Sequence, residues 1–282
     1  FGILLKYFRI IYLRIFKVTV KQPFILTKLE LRKINDIVNR EKIDTLLFHR
    51  AHLGRYVKYI KNKCIKLRIL QAHDLQYMRD NRFQKFNGRD ISKRLGKHIK
   101  SEINILEFFN KVIDLADYEV NDLISRGIRS DLLYSKGTPV EYADYSPFNK
   151  NAKYDLLFVG GSLYQNRVSL EWFMQKVWSK IKHRSYKFAI AGKICDWLKN
   201  QKYKCEIILL GEFDNVSKLY SNSKIVIAPL VVGSGVKVKV VEALMNSKVV
   251  ITNNLGIEGI NVKKQKDYIH CQESEEWITN IE

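Results

Sequence analysis

The chain is 282 residues long, 46% hydrophobic and 12% aromatic, with four prolines and no low-complexity tract. That composition excludes a disordered or linker-rich protein and is enough for two domains of ordinary size. The formal net charge of +20, from 49 Lys and Arg against 29 Asp and Glu, favours polyanions, whether nucleic acid, anionic lipid headgroups or phosphorylated substrates, without choosing among them.

The chain opens with FGILLKYFRIIYLRIFKVTV. Its basic residues interrupt the apolar run too often for a membrane span and lie inside it rather than before it, which also excludes a signal peptide. An amphipathic helix with a basic face fits, either packed on a sheet or touching a membrane surface. A helix is expected after Pro23, then a strand in IDTLLFHR, a helix in HLGRYVKYIKN and a strand in IKLRILQAHD. A long polar-faced helix is expected in RDISKRLGKHIKSEINILEFFN, and a strand followed by a helix in KVIDLADYEVNDLISRG, with Gly127 as the stop.

The stretch from Ser135 to Lys153 holds two of the four prolines and little periodicity, and reads as a linker. Domains over 1–140 and 141–282 are therefore expected. Beyond it, apolar strands and helices alternate. YDLLFVGG, YKFAIAG, CEIILLGEF, KIVIAPL, KVVITN and DYIHCQ read as strands, and RVSLEWFMQKVWSKI, KICDWLKNQ, NVSKLYSNS, GVKVKVVEALMNS and SEEWITNIE as helices. Continuously apolar strands at this pitch signal a parallel sheet covered on both faces. The fold class expected is α/β with two Rossmann-like domains. Cys64, Cys195, Cys205 and Cys271 form no C-x-x-C pair and have no histidine at ligand spacing, so they read as reduced, mostly buried thiols rather than a zinc site.

In parallel α/β sheets, ligands bind at the carboxyl ends of the strands. Glycine recurs at four of them: Gly160-Gly161-Ser162, Gly192-Lys193, Gly211-Glu212-Phe213 and Val232 to Gly235. Ser234 and Gly235 are expected at a helix N-terminus, where free amides favour phosphate. Lys239 and Glu242 follow three residues apart on one face. Two readings fit that spacing: a surface ion pair beside a serine cap, or a lysine on a phosphate with a carboxylate on ribose hydroxyls.

The stretch PLVVGSGVKVKVVEALMNSKVVITNNLGIEGI resembles the nucleotide-sugar-binding segment of the group 1, family-four glycosyltransferases of the GT-B fold. LLFVGGSLYQNRVSLEWFMQKVWSKI, GEFDNVSKLYSNSKIVIAPL and TPVEYADYSPF resemble further segments of the same family, and RILQAHDLQYMRD more loosely its strand-end histidine segment. The resemblance implies two domains facing a cleft and transfer of a sugar, with retention of configuration, from a nucleoside-diphosphate sugar to a glycan or lipid-linked acceptor. It implies no metal cofactor, consistent with the lack of a D-x-D motif at a strand end.

Residue by residue, Glu242 matches the second glutamate of the family's paired motif, and Ser234, in a Gly-Ser-Gly subgroup, stands where the first would be. Gly160 and Gly161 match the glycine turn near the diphosphate. The usual Arg/Lys pair beyond that turn is missing, with Asn166-Arg167 nearby and Lys237 and Lys239 as the alternative source of positive charge. Glu212 and Phe213 fall in the base-side loop, and His73 matches the strand-end histidine, with Asp74 orienting it or capping the next helix. The family pattern extends beyond Phe1 and Glu282, so the resemblance implies a truncated chain with an incomplete N-terminal domain. The expected location is cytoplasmic, peripheral at an anionic membrane face. Two other readings stay open: a non-catalytic nucleotide-sugar-binding relative, and a nucleic-acid-binding protein, for which no stacking motif or recognition helix is evident.

Overall fold

The computed structural model describes residues 26–90, 92–113, 115–135, 151–182, 185–201 and 207–282. The basic opening segment, most of the linker and Cys205 lie outside the described residues. The chain divides into two compact units, Phe1–Gly137 and Thr138–Glu282.

In the first unit, strands β1 (Thr45–His49), β2 (Leu67–Gln71) and β3 (Lys111–Ile113) pair in parallel, in that order. Helix α1 (Lys28–Arg40) opens with a capping box between Thr27 and Glu30 and buries Ile34 and Val38. The segment expected as a helix after β1 forms only the single turn α2 (Ala51–Gly54) and a 3₁₀ turn at Val57–Tyr59. The physical reason is spacing: the buried positions Ala51, Gly54, Tyr56, Val57 and Ile60 spread around a helix instead of forming the single apolar stripe that a continuous α-helix would lay on the sheet.

Helix α3 (Gln76–Phe86) was not legible in the sequence and has no side-chain cap of its own. Its first amides are met from elsewhere. Glu102, on α4 (Ser92–Leu106), accepts from the Gln76 and Tyr77 amides at 3.0 and 2.9 Å. Glu119, on α5 (Asp117–Ser125), accepts from Leu75 at 3.0 Å and from Ala116 at 2.9 Å. Both acids are buried, where an unmet donor would be expensive.

The second unit is a six-stranded parallel sheet in the order β6-β5-β4-β7-β8-β9, built from β4 (Tyr154–Val159), β5 (Phe188–Ala191), β6 (Ile208–Gly211), β7 (Ser223–Ala228), β8 (Val249–Thr252) and β9 (Ile269–His270). Alternate residues of β4 face opposite sides. Leu156 and Phe158 pack with the residues of α6 (Tyr164–Phe173), α8 (Ile194–Leu198) and α11 (Ser274–Ile281). Leu157 and Val159 pack with those of α9 (Val216–Ser221) and α10 (Val238–Met245). Helices thus cover both faces, as the unbroken apolar strands predict. Helix α6 runs through a π turn, Met174–Trp178, into the short α7 (Ser179–Ile181).

This strand order is the doubly wound one, in which the chain turns one way from β4 and the other way from β7. In sheets of this order the ligand crevice lies at the carboxyl ends of those two neighbouring strands.

Candidate active site

The crevice is built on glycine turns. At the end of β4, a Cβ on Gly160 would lie 2.8 Å from the Phe158 ring and 3.4 Å from Asn166. At the end of β5, Gly192 has φ +96, and a Cβ there would lie 2.4 Å from the Gly160 carbonyl oxygen. Only glycine lets the two turns touch, with the Ile194 amide donating to that same carbonyl at 3.1 Å.

The loop after β7 is pinned on both sides. The Asn253 side-chain Nδ2 donates to the Leu230 carbonyl at 2.5 Å, and the Val231 backbone amide donates to the buried Ser169 hydroxyl at 3.2 Å. Gly233 and Gly235 both take positive φ, +148 and +69. These turns delay the helix: α10 begins at Val238, with Lys237 as its cap residue. Ser234 and Gly235 therefore sit in the loop ahead of the helix, not at its N-terminus as the sequence suggested.

Lys239, on the first turn of α10, reaches across the crevice. Its Nζ donates to Asn166 Oδ1 at 2.6 Å and lies 4.6 Å from the centroid of the Phe158 ring. The Asn166 Nδ2 in turn donates to the Gly161 carbonyl at 3.1 Å. Asn166 thus ties the β4 turn to α10 over the switch point. Burial, reinforced by the charge of Lys237, pushes the Lys239 ammonium down to about 7, against a smaller opposing pull from Glu242. Lys237 is committed elsewhere. Its Nζ donates to the Gly235 carbonyl and lies 3.8 Å from Glu258, in the glycine turn after β8. Arg167 also points away, with its guanidinium 5.9 Å from the Trp197 ring.

Glu242 does not pair with Lys239 as a surface couple would. The hydroxyl of fully buried Tyr220 lies 3.2 Å from Glu242 Oε2 and 3.3 Å from the Lys239 carbonyl, a donor to either. Burial raises the Glu242 carboxyl above its ordinary range, and the tyrosine hydrogen bond opposes that rise. Sequence reasoning missed Tyr220, because a tyrosine on a short helix reads as core.

Glu212 and Phe213 follow β6, two strands out from β4. Glu212 lies 3.6 Å from Lys193 in an exposed ion pair, and Phe213 packs against the core with Leu219 and Tyr220. The predicted residues Gly160, Gly161, Lys239 and Glu242 converge on the β4–β7 crevice, whereas Glu212 and Phe213 stand at its flank.

In the first unit, His73 lies just past β2 with φ +66, a costly conformation for a residue with a Cβ. Its Nε2 is 3.2 Å from Nδ1 of His49, which ends β1 and lies 3.0 Å from Gln71 Oε1. His49 was not singled out in the sequence. Asp74 faces Arg79 at 3.1 Å, and the helix that follows is capped by Glu102 instead.

Comparison with known proteins bears on this geometry. Residues 153–282 match the sequence model of the family described as glycosyl transferases group 1. The match takes in all six strands of the second unit's sheet. An uncharacterized 44.6 kDa protein in the cps region of Klebsiella pneumoniae is 27% identical over 175 residues, 58% of this chain and 43% of that protein. TarM superposes with a TM-score of 0.67 at 14% identity, over 89% of this chain and 50% of TarM. The chain thus spans half or less of the length of these two relatives.

HepE from Anabaena, in complex with UDP and glucose, superposes with a TM-score of 0.65 at 12% identity, over 92% of this chain and 73% of HepE. Sucrose-phosphate synthase from Thermosynechococcus elongatus gives 0.67 at 12% identity, over 89% and 66%. At these identities the likeness is one of fold. Each of the two units is built on a parallel sheet, the α/β class expected from the sequence.

Proposed function

We propose that this protein is a glycosyltransferase that moves a sugar from a nucleoside-diphosphate sugar to a hydroxyl of a glycan or lipid-linked acceptor. The observation that carries the reading is the Lys239–Asn166–Gly161 chain across the switch point. It holds a lysine with no carboxylate on it at the place where this fold receives a diphosphate. A diphosphate beside Lys239 restores its charge, and the lysine in turn stabilises the departing nucleoside diphosphate, the role a cation plays in other transferases. Glu242, steadied by Tyr220, accepts hydrogen bonds from the ribose hydroxyls. The glycine turns at Gly160 and Gly161 admit the phosphates close to the backbone, and Ser234 and Gly235 line the same loop. The reaction retains anomeric configuration, and the nucleotides complexed in HepE and TarM structures, UDP in both, fit such a donor.

On the acceptor side we assign His73, held by His49, with Asp74 and Arg79 behind it. The basic balance of the chain fits docking on an anionic membrane face, where lipid-linked acceptors lie. No helix among the described residues is long and apolar enough to cross a membrane.

A thermal-shift panel of UDP- and GDP-sugars tests the donor assignment. A stabilising hit that Glu242→Ala abolishes supports it, and no hit with any nucleotide sugar contradicts it. Sedimentation with equal amounts of anionic and neutral vesicles tests the docking, which fails if the two bind alike.

A further inference from the structure

A second cavity, in the second unit, lies outside the donor residues. It has a volume of 400 Å³ and opens at the carboxyl ends of β7, β8 and β9, within the size range of small-ligand pockets. Trp172 of α6, Val231 and Leu255 supply apolar surface, and Asn254, Gln272 and Glu273 supply the polar groups. Although the chain carries 49 Lys and Arg, no Lys, Arg or His is among the described residues lining this cavity. A phosphate or carboxylate there would meet Glu273 with no countercharge, and one carboxylate among amides is a poor cage for a cation. The lining instead suits a neutral, hydroxyl-rich ligand. Carboxamides both donate and accept, as hydroxyls do, and an indole offers a flat apolar face to the C–H groups of a pyranose ring.

The polar groups are presented by local structure. Glu276 Oε2 accepts from the Gln272 and Glu273 amides at 2.5 and 3.2 Å, which fixes the turn that carries both side chains. Asn254 Oδ1 is engaged by His270 Nε2 at 2.8 Å, which leaves its Nδ2 as the donor. Val231 joins the cavity to the donor loop, two residues before Gly233.

We infer that this cavity is a saccharide-binding site separate from the nucleotide site, holding a neutral sugar unit of the acceptor while its reacting end lies at the donor. It rests on the proposed function only for what the bound sugar serves; the binding itself requires no nucleotide.

Saturation-transfer NMR on the full chain tests it, with methyl glycosides of glucose, galactose and N-acetylglucosamine as probes and glycerol as the control. The expected result is transfer to at least one glycoside without nucleotide, at millimolar affinity. That binding weakens by about tenfold or more in the Gln272→Ala/Glu273→Ala double variant, weakens in Trp172→Phe, which keeps an aromatic ring in the core, and survives in Glu242→Ala. Transfer to no glycoside above the glycerol level would overturn the inference. So would binding that persists in the double variant and disappears in Glu242→Ala, because the sugar would then occupy the donor site. If nucleotide sugars fail to bind while glycosides bind as described, the donor reading falls and this site stands.

Discussion

Lys239 Nζ lies 2.6 Å from Asn166 Oδ1, joining helices on opposite faces of the sheet above the junction of β4 and β7. The contact gives a half-buried ammonium a neutral partner and leaves it attractive to an anion. Replacing Lys239 by Met keeps the length of the side chain and removes the charge. Nucleoside-diphosphate affinity should fall at least ~30-fold while the protein stays folded, as calorimetry and circular dichroism would show.

The same lysine links binding to pH. In the free protein its pKa is about 7, and a diphosphate favours its charged form, so binding takes up a proton above that pH. Affinity should fall as pH rises from 7, and Lys239→Met should lose that dependence. Stability moves in the opposite direction. Between about 7 and the ordinary lysine value of 10.5 the unfolded chain holds more protons at this position than the folded one, so folding stability gains with pH from this group. Urea midpoints across that window, compared between wild type and Lys239→Met, measure the contribution.

Glu102 makes the reverse case in the first unit. Burial raises its carboxyl to about 7 from 4.5, against the pull of the Gln76 and Tyr77 amides. Between those values the folded protein binds the proton more tightly than the unfolded one. The group's contribution is complete at low pH and declines toward neutrality. Glu102→Gln should flatten that decline and weaken the cap on α3, seen as faster amide exchange at Gln76 or Tyr77.

Two glycines separate the cost of a clash from that of a backbone angle. A Cβ at Gly192 would lie 2.4 Å from a backbone oxygen, whereas Gly211, at φ +72, has open space around it. Gly192→Ala should lose more than about 3 kcal/mol in a denaturant titration. Gly211→Ala should lose only the left-handed penalty, about 1–2 kcal/mol.

Tyr220→Phe removes one hydroxyl from a buried ring. The expected loss of stability is about 1 kcal/mol. With its positioning hydrogen bond gone, Glu242 should also discriminate less between ribose and 2′-deoxyribose nucleotides, measured as a ratio of affinities.

Much of the second unit was legible because its strands are apolar throughout and its glycines stand at their ends. The chain written from Tyr154 to Glu282 nearly names its own sheet. The elements that escaped are those whose stability comes from distant partners. Helix α3 lacks a local cap, and its donors are met by Glu102 and Glu119, 25 to 44 residues away. Of the residues proposed for the donor, Gly160, Gly161, Lys239 and Glu242 stood out in the sequence by strand ends, spacing and family resemblance. Asn166 and Tyr220 act as partners of Lys239 and Glu242, and His49 of His73, and pairing across a fold leaves no mark on local sequence. Ser234 and Gly235 were placed one turn too far along, because two positive-φ glycines extend the loop before a helix that spacing alone would start sooner.

The most direct test of the account is calorimetric titration of UDP and GDP into wild type and Lys239→Met at pH 6.5 and 8.5. Saturable binding of at least one nucleotide to wild type is expected, tighter at the lower pH and lost in the variant at both. Binding of equal strength to the two proteins, or none to wild type, would contradict it.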